Sequence, residues 1–229
     1  MKSVTRSLLL ALLPFAPLSA MHGGTPGVAD AGDFTVGRLH YEGGGDWYTG
    51  PSTLPNLLTA IRAAGFPVAP RERVVTLSSP DLWSIPYLYM TGHGNVHFSD
   101  QDLRTLRRYL ENGGFLHADD DYGMDPSFRR EIKRLFPDIP LVDVPLSHPI
   151  YSIVYKFPHG LPKIEEHDGK PAEGLGIFLH GRLVVYYSYQ SDLGDGWEDE
   201  AAHDVPDSMR QAALHMGVNL FAYAVSSAR

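Results

Sequence analysis

The stretch Ile85-Pro-Tyr-Leu-Tyr-Met90-Thr-Gly-His-Gly94, continued by Ser99-Asp-Gln-Asp102-Leu103 and by Asn112-Gly-Gly-Phe115-Leu-His-Ala118-Asp119-Asp120-Asp121, decides the reading of the fold. Ile85 to Met90 is an apolar run closed by a glycine-flanked turn, the form of a strand buried on both faces. Ser99 and Asp102 make a capping box, Leu103, Leu106 and Leu110 recur at helical spacing, and Asn112-Gly113-Gly114 stops the helix. Phe115 to Ala118 is a second buried strand. Strand, helix and strand in this rhythm predict a parallel sheet with helices on its faces.

The same rhythm extends in both directions. Phe34 to Tyr41 alternates as a first strand and ends in Gly43-Gly44-Gly45. Thr53-Leu-Pro55 opens a helix with Leu57, Leu58 and Ile61 on one face and Gly65 as its stop. Val74 to Leu77 is a short strand. Asp125-Pro126 opens a further helix through Phe128, Ile132 and Leu135, with Asp125 as its N-cap and Pro137 as its end. Ile150 to Phe157 is expected to be extended. Leu175 to Leu179 and Leu183 to Tyr189 are expected strands around His180-Gly181, and Pro206 opens a last helix whose methionines serve packing.

Composition narrows the function. The formal charge is −8, two units more negative without Lys2 and Arg6, and no dense basic run stands where a phosphate backbone could be gripped, so nucleic acid is excluded as a partner. Lys2 and Arg6 before the apolar run Leu8 to Leu13, with Ser19-Ala20 after it, have the layout of an export signal over residues 1–20. The expectation is therefore an exported, periplasmic protein, with anchoring by an uncleaved signal as the alternative and no later membrane span. Residues 21–33 are expected to form a flexible leader, and residues 34–229 a single α/β domain. The chain has no cysteine, which rules out a thiol nucleophile and a lipid-anchored N-terminal cysteine.

Three polar stretches fall at expected strand ends: Glu42 to Tyr48, His117 to Asp125 and Ser191 to Glu198. A parallel sheet gathers such loops at its carboxyl edge, where clefts form. Asp119, Asp120 and Asp121 in succession repel one another unless a cation, an arginine or a shared proton compensates. Asp120, His93 and His167 are the candidate catalytic groups, with Asp120 suited to proton transfer and His93 exposed between two glycines. Asp46, Trp47, Tyr48, Asp119, His148, Asp192, Asp195, Trp197 and Glu198 are candidate substrate contacts, carboxylates and aromatic faces being suited to sugar hydroxyls and rings. His148, Glu165, Glu166, His167 and Asp168 carry enough nitrogen and oxygen for a divalent metal, though at no recognised zinc spacing. Asp192, Asp195 and Glu198 lack the spacing of an EF-hand. Among the remaining histidines, His203 is the next candidate.

Phe34-Thr-Val-Gly-Arg38-Leu-His-Tyr41, Thr91-Gly-His93-Gly94-Asn95, Asp119-Asp120, Ser147-His148-Pro149-Ile150-Tyr151, His167-Asp168-Gly169 and Asp192-Leu-Gly194-Asp195-Gly196-Trp197-Glu198 together resemble family 4159 of the domains of unknown function. That resemblance implies a relation to the class I glutamine-amidotransferase-like superfamily, near the trehalose-utilisation (ThuA-like) proteins, and with it a flavodoxin-like sheet. The superfamily places its nucleophile at the elbow after the strand matching Phe115 to Ala118, where this chain has Asp119 or Asp120. Its general base would fall near Gln190-Ser191-Asp192, where no histidine stands, so glutaminase chemistry is excluded. Two functions remain: an acid–base or metal-assisted enzyme, a hydrolase or a lyase/isomerase, on a small carbohydrate-like ligand, or a non-catalytic binding or assembly subunit of a cell-envelope or membrane complex.

Overall fold

A computed structural model describes residues 32–228. The expected export signal and all but the last two residues of the expected leader lie outside them.

Seven strands form one sheet: β1 (Val36–Leu39), β2 (Arg73–Val75), β3 (Tyr87–Met90), β4 (Phe115–Asp119), β5 (Val142–Asp143), β6 (Glu173–Leu179) and β7 (Arg182–Tyr189). The order is β2-β1-β3-β4-β7-β6-β5. The first five in this order pair in parallel, and β6 and β5 add an antiparallel edge. The helices are α1 (Thr53–Ala63), α2 (Asp100–Glu111), α3 (Asp125–Leu135), α4 (Leu193–Trp197) and α5 (Asp207–Ser227). This is the expected α/β architecture with a mostly parallel sheet, consistent with a flavodoxin-like fold.

The two-residue period of a strand divides the core. Val36, Tyr87, Tyr89 and Phe115 face α1 and α5, whereas Leu88, Met90, Leu116 and Ala118 face α2 and α3. Fully burying each large apolar side chain contributes about 1.5–3 kcal/mol. Helix α5 is apolar on nearly every side because it is wedged against α1, α4 and the loop before β6. Among the described residues no helix is long and apolar enough to cross a membrane.

Three local expectations need correction. Ile150 to Phe157 is not extended. Pro149–Tyr151 forms a 3-10 turn, and the chain beyond it is held by buried Asn219, which accepts from Val154 N and Tyr155 N and donates to Ile150 O and Tyr155 O. Asp125 is the first residue of α3 and makes no cap; its carboxylate accepts from the Tyr187 hydroxyl (3.0 Å) and from Arg129 Nε (2.6 Å). The segment Leu193–Trp197, read as a polar loop, is a helical turn.

Candidate functional site

The loops after β1, β3, β4 and β7 all lie at the carboxyl edge of the parallel strands, and each delivers a polar side chain. Asp46, after β1, accepts from both His93 N (2.6 Å) and His93 Nδ1 (2.8 Å). The imidazole that follows β3 is thereby fixed, with its Nε2 3.5 Å from Asp121 Oδ1. Gly92 permits this approach: its φ is +135°, and a Cβ there would sit 2.9 Å from Asp46 Oδ1.

Asp119 ends β4 and is fully buried. It accepts from Gly194 N (2.6 Å), Leu193 N (3.3 Å), the Tyr89 hydroxyl (3.3 Å) and the Ser188 hydroxyl. Its oxygens satisfy the first amides of α4, so Asp119 is a positioning residue and not the expected substrate contact. Behind it a polar chain enters the core: Ser188 Oγ meets His117 Nε2 (2.8 Å), and His117 Nδ1 meets the Tyr87 hydroxyl (2.8 Å). Burial holds the His117 pKa down at about 3, leaving it neutral.

Asp121, two residues beyond Asp119, emerges on the same side and enters a cleft with Thr49, Gly50, Thr53, Tyr89, Thr91, Asp192, Gly194 and Asp195. Its volume of about 10 Å³ admits one water-sized group. Asp192 stands at the top of β7 with φ +62°, a left-handed conformation that costs a non-glycine residue free energy. Only 1% of its surface is exposed. Its Oδ2 lies 2.8 Å from His167 Nε2, and its Oδ1 is buried with no hydrogen-bond partner.

Ser191 brings the remaining groups in. Its carbonyl accepts from Ile164 N (2.9 Å) and Glu165 N (3.4 Å), and its hydroxyl donates to Pro162 O (2.6 Å), stapling the Pro162–Glu165 loop to the end of β7. Glu165 and His167 consequently face Asp192, with His167 stacked on Tyr122 at a 4.6 Å centroid distance. After α4 the chain returns His203, whose Nδ1 is 3.2 Å from Asp195 and 3.5 Å from Glu165 and whose Nε2 is 3.1 Å from Glu198. Three donor sets result, each with atoms within 4.8 Å of one another: Glu165, Asp195 and His203; Glu165, His167 and Asp192; Asp121, Asp192 and Asp195. Among the described residues no lysine or arginine forms an ion pair with Asp121, Glu165, Asp192, Asp195 or Glu198; their ion-pair partners are histidines.

The sequence profile of the domain of unknown function DUF4159 matches residues 35–225. The chain belongs to the DUF4159 family. The match spans all the elements that build the site. No curated protein matches the chain.

Electrostatics in this DUF4159 protein follow from crowding. Burial, then the Asp195 charge, raises the Asp121 pKa to about 7. Burial raises Asp195 to about 6 against the pull of His203, and burial followed by the charges of Asp195, Asp119 and Asp121 drives Asp192 strongly upward. Burial works against the charged form of His93, but the Asp46 hydrogen bond and the charges of Asp121, Asp46 and Asp195 outweigh it and leave its pKa raised. These are the conditions in which a bound cation is favoured over protons.

The remaining sequence candidates separate from this cluster. Asp120 points toward Tyr187, Met124 and Asp125 and is nearly fully buried, so it does not converge with His93 and His167, whereas Asp121 Oδ1 lies 3.5 Å from His93 Nε2. Trp197 is fully buried, donates from Nε1 to Ala213 O (2.8 Å) and packs on Tyr89 and His117, so it is core and not a ligand platform. His148 accepts from Ile150 N through Nδ1 and packs on Phe178 and Tyr223, away from the carboxyl edge. Trp47 stacks on His40 at 4.1 Å and meets Tyr48 edge-on at 5.5 Å, and Tyr48 remains 66% exposed. Glu166 pairs with Lys163 in solvent, and Asp168 accepts from Tyr122 and Lys170. Glu165 and His203, which complete the donor sets, were legible only as a metal-capable residue and a secondary histidine.

Proposed function

We propose that the carboxyl edge of the sheet is a divalent-cation centre of an acid–base enzyme that acts on a small, oxygen-rich, carbohydrate-like substrate. The observation that carries this reading is the convergence of Asp121, Glu165, Asp192, Asp195, His167 and His203 without a lysine or arginine to neutralise them. Mixed carboxylate and imidazole donors suit Mn, Zn or Fe better than Mg or Ca. A cleft sized for one water admits a hydroxyl or carbonyl oxygen, not a ring, so the substrate would rest on the rim near Tyr48 and present a single oxygen. His93, braced by Asp46 and with its Nε2 3.5 Å from Asp121 Oδ1 at the cleft, is suited to take a proton from that oxygen or from an attacking water and return it to the leaving group.

We further propose that the family sits within the class I glutamine-amidotransferase-like superfamily near the ThuA-like proteins, and that residues 1–20 direct export to the periplasm. The site supports a departure from amidotransferase chemistry: the elbow carboxylate Asp119 is committed to the amides of α4, and the reactive groups have moved to Asp121 and His93. That same commitment of the elbow favours a second reading, a non-catalytic envelope subunit in which the cation is structural.

Purified full-length protein, stripped with chelator and reloaded, tests the first reading. We expect a Mn or Zn ion to be retained through gel filtration and lost in Asp192→Asn, and His93→Gln to keep the ion while losing turnover of polyhydroxylated esters and glycosides. Absence of any retained ion overturns the centre. Retention of the ion with no turnover by the wild type, together with stoichiometric envelope partners on native purification, selects the second reading.

A further inference from the structure

The three donor sets interlock. Any two of them share one carboxylate, and each keeps one member of its own. Glu165 is common to the two sets that contain a histidine; Asp192 and Asp195, which divide between those sets, meet again in the third with Asp121. The result is a repeated half-site: one imidazole, one aspartate and a shared glutamate, once with His203 and Asp195 and once with His167 and Asp192. A single ion bound in either half would leave the other half's aspartate and histidine unused. The half-sites are also held independently, His203 by the chain after α4 and His167 by its stacking on Tyr122.

A second observation points to a ligand between the halves. Asp192 is almost completely buried, its Oδ2 is occupied by His167, and its Oδ1 has no partner although it belongs to a residue that lines the cleft with Asp121 and Asp195. Leaving a buried carboxylate oxygen unpaired carries the full penalty of its lost hydration, and a cation removes that penalty. Glu198 repeats the feature on the other side: its Oε2 meets His203, and its Oε1 is buried without a partner.

We propose that the site holds two divalent cations, one on His203 and Asp195 and one on His167 and Asp192, bridged by Glu165 and closed on the cleft side by Asp121. This inference rests on the cation reading above and adds its stoichiometry and ligand assignment. A carboxylate-bridged pair of divalent ions would supply positive charge to both the attacking and the leaving atom of a hydrolytic displacement. The expected substrate class is therefore narrowed to an ester, amide or phosphoester whose bond is broken by water, in which the water oxygen bonds to the acyl carbon or phosphorus and the leaving oxygen or nitrogen departs with a proton.

The test is Mn²⁺ loading of the full-length protein, measured by elemental analysis after desalting and by electron paramagnetic resonance. We expect two equivalents and an exchange-coupled spectrum in the wild type. His203→Gln and His167→Gln should each retain one equivalent with an uncoupled six-line spectrum, and each should keep the wild-type circular dichroism. One equivalent in the wild type, with an uncoupled spectrum, overturns the paired site and leaves the single-cation reading standing. No retained ion overturns both. Retention of both equivalents, or loss of both, in either histidine variant with wild-type circular dichroism also overturns the paired assignment. The wild-type spectrum decides the matter even if a variant fails to fold.

Discussion

Asp119 accepts the backbone N–H of Gly194 at 2.6 Å, so the end of β4 is tied directly to the turn that carries Asp192 and Asp195. Gly194 fits this contact because a Cβ there would stand 2.7 Å from the Tyr89 hydroxyl. Replacing Asp119 by Ala leaves the amides of Leu193 and Gly194 buried without acceptors, at a cost of about 1–3 kcal/mol for each unsatisfied group. We expect urea unfolding of Asp119→Ala to show that loss. Manganese affinity should also fall at least tenfold, although Asp119 belongs to none of the donor sets; unchanged affinity would show that α4 is positioned by other contacts.

Asp121 gives a pH signature. Its folded pKa of about 7 lies above the unfolded value of 3.8, so between these limits the folded state holds a proton that the unfolded state has released. The associated stability is fully present below pH 3.8, is lost progressively as pH rises towards 7, and is gone above it. Relative to wild type, chelator-treated Asp121→Asn should therefore gain stability as pH rises from 5 to 8, by on the order of 1–3 kcal/mol. The stability difference against pH in denaturant titrations checks this, and a flat difference contradicts the burial argument. A comparison of the two proteins is needed because neutral buried His117 acts in the opposite direction, losing stability as pH falls below 6.5.

Asp46 sets the protonation of His93. With Asp46→Asn the opposing effect of burial remains while the charged hydrogen bond is removed. The imidazole pKa measured by NMR should fall relative to wild type. A value that does not move would assign the raised pKa to Asp121 and Asp195 alone.

The aromatic candidates should divide sharply. Trp197→Ala empties a fully buried position packed on Tyr89 and His117 and should cost about 3–5 kcal/mol. Tyr48→Ala should stay within about 0.5 kcal/mol of wild type, yet weaken binding of a ring-bearing ligand. Equal stabilities of the two variants in guanidinium titrations would contradict the assignment of Trp197 to the core.

The sheet was legible where local and tertiary signals agreed. The Ser99–Asp102 capping box forms as read, each partner bonding the other's backbone amide, and the buried runs at Tyr87–Met90 and Phe115–Asp119 are adjacent parallel strands. The hairpin at His180-Gly181 has positive φ at both residues, as a type I′ turn requires. Helix α4 was not legible, since two of its five residues are glycine and it depends on Asp119 and the burial of Trp197. Ile150 to Phe157 misled because its β-branched and aromatic residues answer to Asn219, far along the chain.

The site was legible as a set of loops more than as a set of roles. Asp46, His93, Asp192 and Asp195 follow from strand ends alone. Preference for Asp120 over Asp121 failed because side chains alternate: once Asp119 turns toward α4, Asp121 shares its side and Asp120 faces α3. Glu165 arrives through the Ser191 staple and His203 through the return after α4, contacts between segments with no pattern in the sequence to announce them.

The run from Tyr87 through His117 and Ser188 ends at Asp119, and the charge on that carboxylate bears on the donors along it. When Asp119 is ionised it accepts the Ser188 hydroxyl, so His117 donates from Nε2 to Ser188 and its unprotonated Nδ1 accepts a hydrogen bond from the Tyr87 hydroxyl. When Asp119 is protonated and donates to Ser188, the Ser188 hydrogen is free for Ala118 O (3.2 Å) or for His117 Nε2, and only the second choice moves the imidazole proton to Nδ1. An ionised strand terminus thus fixes the tautomer of a ring deep beneath the sheet edge without that ring ever gaining charge itself.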